Sequence, residues 1–171
     1  MSMRRIRPLQ SDDAAELADV YARNRHFLAP FEPDRDDSFF TPTGQQVRLQ
    51  QSLDAARRGL GFRFAIVDDG RVVGTVVLEQ IVRSASQSAT VGYWVDRTCS
   101  GRGLATDAVA DAIEFARSEL QLHRLEAPTR VDNLASQRVL AKNAFDRIGV
   151  ARKYLRVGGA WRDHILFQRL L

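Results

Sequence analysis

Two glycines stand close together in the segment Ser100-Gly101-Arg102-Gly103-Leu104-Ala105-Thr106, called the glycine loop below. Glycine lets the backbone turn tightly, so that successive N–H groups point the same way. A helical pattern begins at Leu104, and a helix start supplies unpaired N–H donors and about half a positive charge. Arg102 adds a full positive charge. This combination predicts a site for an anion such as pyrophosphate, although a turn that merely starts a helix has the same pattern.

The sequence lacks the residues that several other kinds of site require. The glycine loop has neither the Gly-Lys-Ser/Thr of a Walker loop nor the three glycines of a dinucleotide fingerprint. His26, His123 and His164 show no metal-ligand spacing, so we expect no metal. Cys99 has no neighbouring histidine in the sequence that would make it a nucleophile.

Hydrophobic spacing predicts the elements around the glycine loop. Three strands precede it, over residues 62–67, 71–81 and 90–95, with a turn signal at Asp69-Gly70. They form an antiparallel meander in the simplest arrangement. The clearest helix of the chain follows, with apolar residues at spacings of one, three and four, namely Leu104, Ala105, Ala108, Val109, Ala112, Ile113, Ala116 and Leu120.

Capping residues predict the remaining helices. Ser11 suits the start of a first helix, and Thr41-Pro42 that of a second, which ends near Gly59 or Gly61. Asp132 or Asn133 suits the start of a last helix.

Strand signals complete the order of elements. We expect strands over 124–131 and 145–150 and a closing hairpin over 152–170, which gives the order ααβββαβαββ. The sequence therefore predicts one α+β domain over residues 1–171 with a mostly antiparallel sheet.

The composition is that of an ordinary globular domain. The chain has 171 residues, 44% hydrophobic and 27% charged. Its single cysteine excludes an internal disulfide. It has no apolar run of the ~18 residues that a membrane span needs, and its N-terminus lacks the pattern of a signal peptide. We expect a cytoplasmic protein without a membrane partner.

The net charge of +4 lies entirely in the second half of the chain. Residues 1–85 hold 12 basic and 12 acidic residues, whereas residues 86–171 hold 13 and 9. The basic residues of the second half are spread along the sequence rather than clustered in a run. We therefore expect an anionic ligand, and not a nucleic acid, as their partner.

Four motifs occur in a characteristic order. They are Tyr93-Trp94-Val95-Asp96, Gly101-x-Gly-x-Ala-Thr, Arg130-Val131-Asp132-Asn133-x-x-Ser136 and Asn143-x-Phe145. Together they resemble the GNAT acetyltransferase family, in particular its RimJ/RimL type of ribosomal-protein N-acetyltransferase. The resemblance covers nearly the whole chain and is firmest over 74–171. It implies an acetyl-CoA-dependent N-acetyltransferase with a parallel, splayed strand pair at 90–95 and 124–131 and helices on both faces of the sheet.

The resemblance also implies roles for individual residues. Pantetheine would lie between the splayed strands, the amides of Arg102 to Thr106 would hold the pyrophosphate, and the N–H of Val95 or Trp94 would hold the acetyl carbonyl. Ser136 would protonate the leaving thiolate, although a serine also suits a helix start. The expected residues for binding acetyl-CoA are Trp94, Val95, Gly101, Arg102, Gly103, Leu104, Ala105, Thr106, Asn133 and Ser136.

Two positions depart from the family pattern. Ser100 stands where the family usually has Gln or Arg, which leaves the backbone amides unaffected. Leu155 stands where some members have a glutamate that serves as base. The base candidates are then Glu79, which we prefer, and Glu126, and each also suits a surface salt link.

The acceptor is expected to be an amine. A protein N-terminal α-amine is the first choice, and the alternatives are a small-molecule amine or a catalytically silent CoA-binding module. The acidic run Asp34, Asp36 and Asp37 lies in the part of the chain where the family forms its acceptor cleft. Two interpretations of this run stay open: it attracts a cationic acceptor, or it is a solvated loop without a role in binding. The resemblance also makes a homodimer plausible.

Overall fold

A seven-stranded sheet forms the centre of the structure, a computed structural model that describes residues 5–171. In chain order the strands are β1 (Ile6–Pro8), β2 (Phe62–Asp68), β3 (Arg71–Val82), β4 (Ser88–Val95), β5 (Arg124–Arg130), β6 (Asp146–Val157) and β7 (Ala160–Leu170). Their order across the sheet is β1-β2-β3-β4-β5-β7-β6. The β4–β5 pair is parallel and the other pairs are antiparallel. The predicted mostly antiparallel α+β sheet is confirmed.

Helices cover both faces of the sheet. They are α1 (Ala14–Leu28), α2 (Pro42–Arg57), α3 (Leu104–Ser118) and α4 (Leu134–Lys142). The larger core lies under α3 and α4, where the apolar stripe of α3 and Leu140 pack on the sheet. A smaller core lies on the opposite face under α1 and α2 and includes Leu17, Leu49 and Trp94. None of the helices in the described part of the chain is both long and apolar enough to span a membrane.

The parallel strand pair separates after three residues. β4 and β5 pair only at Ser88–Arg124, Ala89–Leu125 and Thr90–Glu126. Beyond this point β4 stays paired with β3, and β5 stays paired with β7. The space between residues 91–95 of β4 and 127–130 of β5 is called the strand gap below. Backbone groups that face it have no neighbouring strand to bond, which confirms the predicted splayed pair.

Two of the predicted helix caps are present and one prediction is wrong. The Thr41 hydroxyl accepts from the Gly44 amide at 3.1 Å, and the Asn133 side chain accepts from the Ser136 amide at 3.1 Å. Ser11 caps no α-helix, because residues 11–13 form a 3-10 turn and α1 begins at Ala14. The Asp13 carboxylate instead accepts from the Gln10 amide at 2.7 Å.

The C-terminal strands also differ from the prediction. The expected strand at 145–150 and the first strand of the closing hairpin form one strand, β6. Its register against β7 shifts between Ala151 and Leu155, where Lys153 has φ 47° and donates its amide to the Asp163 carboxylate at 2.8 Å. The break in the sequence pattern is therefore a bulge. The short strand β1 was not predicted.

Candidate active site

The glycine loop is open towards solvent at both glycines. Gly101 has φ 80° and Gly103 has φ 85°, and among the described residues other than the glycine and its two chain neighbours, no heavy atom lies within 4 Å of the position that a Cβ would take. Gly103 is the N-cap of α3, while the side chain of Leu104 is buried in the larger core. The amides of Leu104, Ala105 and Thr106 therefore lie in the first turn of a firmly anchored helix, where N–H groups have no partner within the helix. This arrangement fits a pyrophosphate group.

The charge of Arg102 is shared with a neighbouring carboxylate. Its guanidinium lies 2.7 Å from the Asp68 carboxylate, which attracts it and raises the pKa of Arg102. Asp68 is buried at the end of β2. Asp68 also lies 3.5 Å from the Arg5 guanidinium, so it balances only part of the charge of Arg102. Arg102, the backbone amides and the start of α3 therefore all contribute to the attraction for an anion.

The backbone of β4 faces the strand gap at alternate residues. The Asp96 amide donates to the Val73 carbonyl at 2.6 Å, towards β3. Because N–H groups alternate in direction along a strand, the amides of Val95 and Tyr93 point to the strand gap and that of Trp94 points to β3. The indole of Trp94 donates to the Tyr21 hydroxyl at 2.9 Å, beneath α1. The structure thus brings Val95 to the strand gap and turns Trp94 away from it.

A buried aspartate fixes the turn between β4 and the glycine loop. Asp96 accepts from Arg23 Nε at 2.6 Å and from the amide of Thr98 at 2.9 Å. Burial alone raises the pKa of Asp96, but the hydrogen bonds from Thr98 and Arg23 outweigh it and leave the pKa lowered. The carboxylate stays ionised and ties the turn to α1.

Ser136 lies beside the strand gap, in the first turn of α4. The Tyr93 hydroxyl oxygen is 2.9 Å from the Oγ atom of Ser136 and 3.1 Å from the Ser136 carbonyl oxygen, so its one hydrogen can be donated to either. The Asn133 oxygen caps α4, and its NH2 group is left to donate to a ligand. Tyr93 is not among the predicted site residues, and its only signal in the sequence is its place in the first motif.

The two candidate base residues lie in register at the closed end of the strand gap. Glu79 of β3 pairs with Thr90 of β4, which in turn pairs with Glu126 of β5. Residues in register point to the same face, so both carboxylates lie on the α1 and α2 face, about 10 Å apart by strand spacing. Both side chains are exposed. The two candidates therefore share one face of the sheet but lie on either side of β4.

The predicted acidic run is mostly engaged in local contacts. Asp37 pairs with Arg25 at 2.8 Å, and Asp36 accepts from the Phe39 amide at 3.2 Å. The half-buried carboxylate of this loop is instead Glu32, whose pKa is raised by burial. Glu32 lies 3.9 Å from Arg35. Glu32 is not among the predicted site residues, and its only signal in the sequence is its place among prolines.

The cysteine and the metal-ligating residue types do not form a further site in the described part of the chain. Cys99 is a half-buried free thiol. Within residues 5–171, no group of three or more His, Cys, Asp or Glu side chains is placed to hold a metal ion.

Comparison with known proteins agrees with this geometry. Residues 4–146 match the family model described as an acetyltransferase (GNAT) domain. The chain therefore belongs to the GNAT acetyltransferase family.

Two curated relatives are similar over nearly the whole chain. A probable N-acetyltransferase of Bacillus subtilis, YjcK, is 38% identical over 93% of this chain and 89% of its own. The ribosomal protein uS5-alanine N-acetyltransferase of Escherichia coli is 35% identical over 94% of this chain and 84% of its own.

Solved structures give the same result. The ribosomal-protein-S5-alanine acetyltransferase of Vibrio fischeri superposes with a TM-score of 0.93, at 38% identity over 96% of this chain and 91% of that one. Mycobacterium smegmatis RimJ, solved with CoA-disulfide, also has a TM-score of 0.93, at 34% identity over 96% of this chain and 80% of that one. The chain is an acetyl-CoA-dependent N-acetyltransferase.

Proposed function

We propose that the acceptor of this N-acetyltransferase is the α-amine of a protein N-terminus. The main support is the similarity of 94% of the chain to an enzyme that acts on an alanine of ribosomal protein uS5. The site adds a chemical argument. An α-amine has a pKa of about 7.7–8.0 and a lysine one of about 10.4, so at pH 7 roughly a tenth of the former but under a thousandth of the latter is neutral. A weak base therefore serves an α-amine far better than a lysine.

In this proposal, acetyl-CoA binds in the strand gap and at the glycine loop. The amides of residues 102–106 hold the pyrophosphate, and the amide of Val95 faces the pantetheine arm or the acetyl oxygen. Asn133 contributes its NH2 group. Gly101 and Gly103 allow close approach of the phosphates because neither carries a side chain.

The transfer itself needs one acid and one base. The amine lone pair forms the new C–N bond, and the C–S bond of the thioester breaks. Ser136 gives its proton to the leaving sulfur. Glu79 or water takes the proton that the amine loses, and Ser136 regains a proton from solvent, so the products are the amide and the free thiol. Because the pKa of a thiol is about 8.5, a weak acid suffices to protonate the leaving thiolate.

The acceptor class is tested by thiol release in the presence of acetyl-CoA. Peptides with a free N-terminus should release CoA and gain one acetyl group by mass spectrometry. The same peptides with a blocked N-terminus and an internal lysine are the matched control and should stay unmodified. Faster turnover of polyamines or free amino acids would contradict the proposal and favour a small-molecule acceptor. That alternative has its own support, since an Escherichia coli L-amino acid N-acetyltransferase is 32% identical over 71% of this chain.

The base is tested by Glu79→Gln. We expect kcat to fall by about a hundredfold, the lower end of general base contributions. Glu126→Gln is the matched control, because Glu126 lies in register with Glu79, two strands away in the sheet. We expect kcat to change less than about threefold in this variant. A larger loss in Glu126→Gln would transfer the role to Glu126. Small effects in both variants would leave water as the base.

The proposal covers the whole chain. Residues 1–171 would act as one domain, because β6 and β7 complete the sheet in which the strand gap lies. We expect this domain to act in the cytoplasm. A homodimer stays a prediction, to be checked by light scattering.

A further inference from the structure

The Tyr93–Ser136 contact joins two elements that the sheet leaves apart. β4 and β5 last pair at Thr90–Glu126. Tyr93 lies three residues further along β4, and Ser136 lies on the helix that follows β5. Their hydroxyl oxygens are nevertheless 2.9 Å apart. The contact therefore crosses beside the strand gap, where acetyl-CoA is proposed to bind.

Tyr93 is held firmly enough to act as a fixed point. Its ring packs against the larger core, and its alternation with Val91 and Val95 places it on the α3 face of β4. The phenol oxygen contacts both the hydroxyl and the carbonyl of Ser136. Ser136 is held from the other side by the Asn133 cap on its amide. The serine is thus fixed between two polar partners.

The hydroxyl hydrogens allow two arrangements. Tyr93 and Ser136 carry one hydroxyl hydrogen each. If Tyr93 donates to the Ser136 carbonyl, the serine hydrogen is free to point back at the phenol oxygen. If Tyr93 donates to the Ser136 Oγ atom, the serine hydrogen must point elsewhere. Only the second arrangement keeps the 2.9 Å contact as a hydrogen bond and still lets the serine donate to a third atom.

We propose that Tyr93 is a positioning residue that donates to the Ser136 hydroxyl and so directs the serine hydrogen at the leaving sulfur. The inference rests on the proposed role of Ser136 as the acid. A hydroxyl that accepts one hydrogen bond also becomes a better donor of its own hydrogen. Tyr93 itself transfers no proton.

The protonation state of Tyr93 agrees with this role. Burial raises the pKa of its phenol above the ordinary value near 10, and the Ser136 contact only partly opposes this. The phenol therefore keeps its hydrogen throughout the neutral range and remains a donor.

The test is a double-mutant cycle of Tyr93→Phe and Ser136→Ala, read by CoA release and by CoA affinity. Tyr93→Phe keeps the ring and should lower kcat about tenfold, which is the effect of one lost hydrogen bond, with KM for acetyl-CoA changed less than about twofold. Ser136→Ala should lower kcat by about a hundredfold. The double variant should be no slower than Ser136→Ala alone, because without the serine there is nothing to orient.

Tyr154→Phe is the matched control, since Tyr154 is an exposed phenol on β6, and it should leave kcat unchanged. Two results would overturn the inference. One is a normal kcat in Tyr93→Phe while Ser136→Ala is slow. The other is additive losses in the double variant, which would mean that Tyr93 only packs. A normal rate in Ser136→Ala would instead remove the serine as the acid, and with it this role of Tyr93.

A crystal structure of the CoA complex gives a test that needs no acceptor. Ser136 Oγ should lie within about 3.5 Å of the CoA sulfur while it keeps its contact with the Tyr93 hydroxyl. In the Tyr93→Phe complex, the Ser136 side chain should turn away from the sulfur or occupy more than one rotamer. A Tyr93 hydroxyl bound to CoA itself would overturn the positioning role.

Discussion

Gly103→Glu is expected to abolish binding of acetyl-CoA while leaving the protein folded. The new carboxylate would stand at the N-cap of α3, among the amides that we assign to the pyrophosphate. Two like charges about 4 Å apart repel by about 4 kcal/mol at the effective dielectric of a protein surface. We therefore expect the Kd for CoA, measured by calorimetry, to rise by more than about a hundredfold.

Two control variants separate the charge from backbone strain. Gly103 has φ 85°, so any side chain there costs about 1–2 kcal/mol. Gly103→Ala carries this strain without the charge and should weaken CoA binding less than about tenfold. Gly59→Glu places the same carboxylate at a glycine with φ 67° and open surroundings after α2. It should leave the affinity unchanged. If Gly103→Glu bound CoA normally, the anion site would lie elsewhere.

Gly74→Ala is expected to be the most damaging small substitution in the sheet. A Cβ at Gly74 would lie 2.2 Å from the Trp94 carbonyl oxygen and 2.9 Å from the Val95 Cα. These are backbone atoms and cannot turn aside, so β4 must move away from β3. We expect the free energy of unfolding to fall by about 3 kcal/mol, the upper part of the range for overpacking, and Tm to fall by roughly 6–12 °C.

The same displacement should affect the site. Because β4 carries the Val95 amide that faces the strand gap, we expect Gly74→Ala to lose CoA affinity as well as stability. Gly149→Ala is the matched control, since among the described residues nothing lies within 4 Å of its Cβ position in β6. Thermal unfolding should show a change of less than about 2 °C there. Equal losses in the two variants would mean that β3 and β4 tolerate separation at Gly74.

The elements nearest the glycine loop were the most predictable from sequence. The apolar residues of α3 recur with the helical period along 15 residues, and that face is indeed buried. Such a pattern is local, so no knowledge of neighbours is needed. By contrast, β1 has three residues and ends at Pro8, which is too short for any period. Ser11 was misleading because Asp13, also a good partner for backbone amides, lies two residues away and pairs with Arg7 at 2.7 Å.

The site was predictable only where it depends on backbone. The conformation of the glycine loop follows from its glycines, which adopt positive φ. The partner of Ser136 is 43 residues distant in the chain, and the pairing of Arg102 with Asp68 also requires the folded sheet. Contacts of this kind have no local pattern. The half-buried state of Glu32 likewise depends on packing between the loop after α1 and the rest of the molecule.

The long edge strand β6 has a consequence for behaviour at high concentration. One side of β6 pairs with β7, and the strand ends the sheet. It exposes Ile148, Val150 and Leu155, and a strand edge of this kind is a template for pairing with another molecule.

Two register shifts in β6 interrupt that template. Four basic residues of the strand do so as well, namely Arg147, Arg152, Lys153 and Arg156. Two copies that approached edge to edge would meet like charges and mismatched hydrogen bonds. Part of the positive charge in the second half of the chain therefore acts against aggregation, and this protection should weaken in high salt, where the charges are screened.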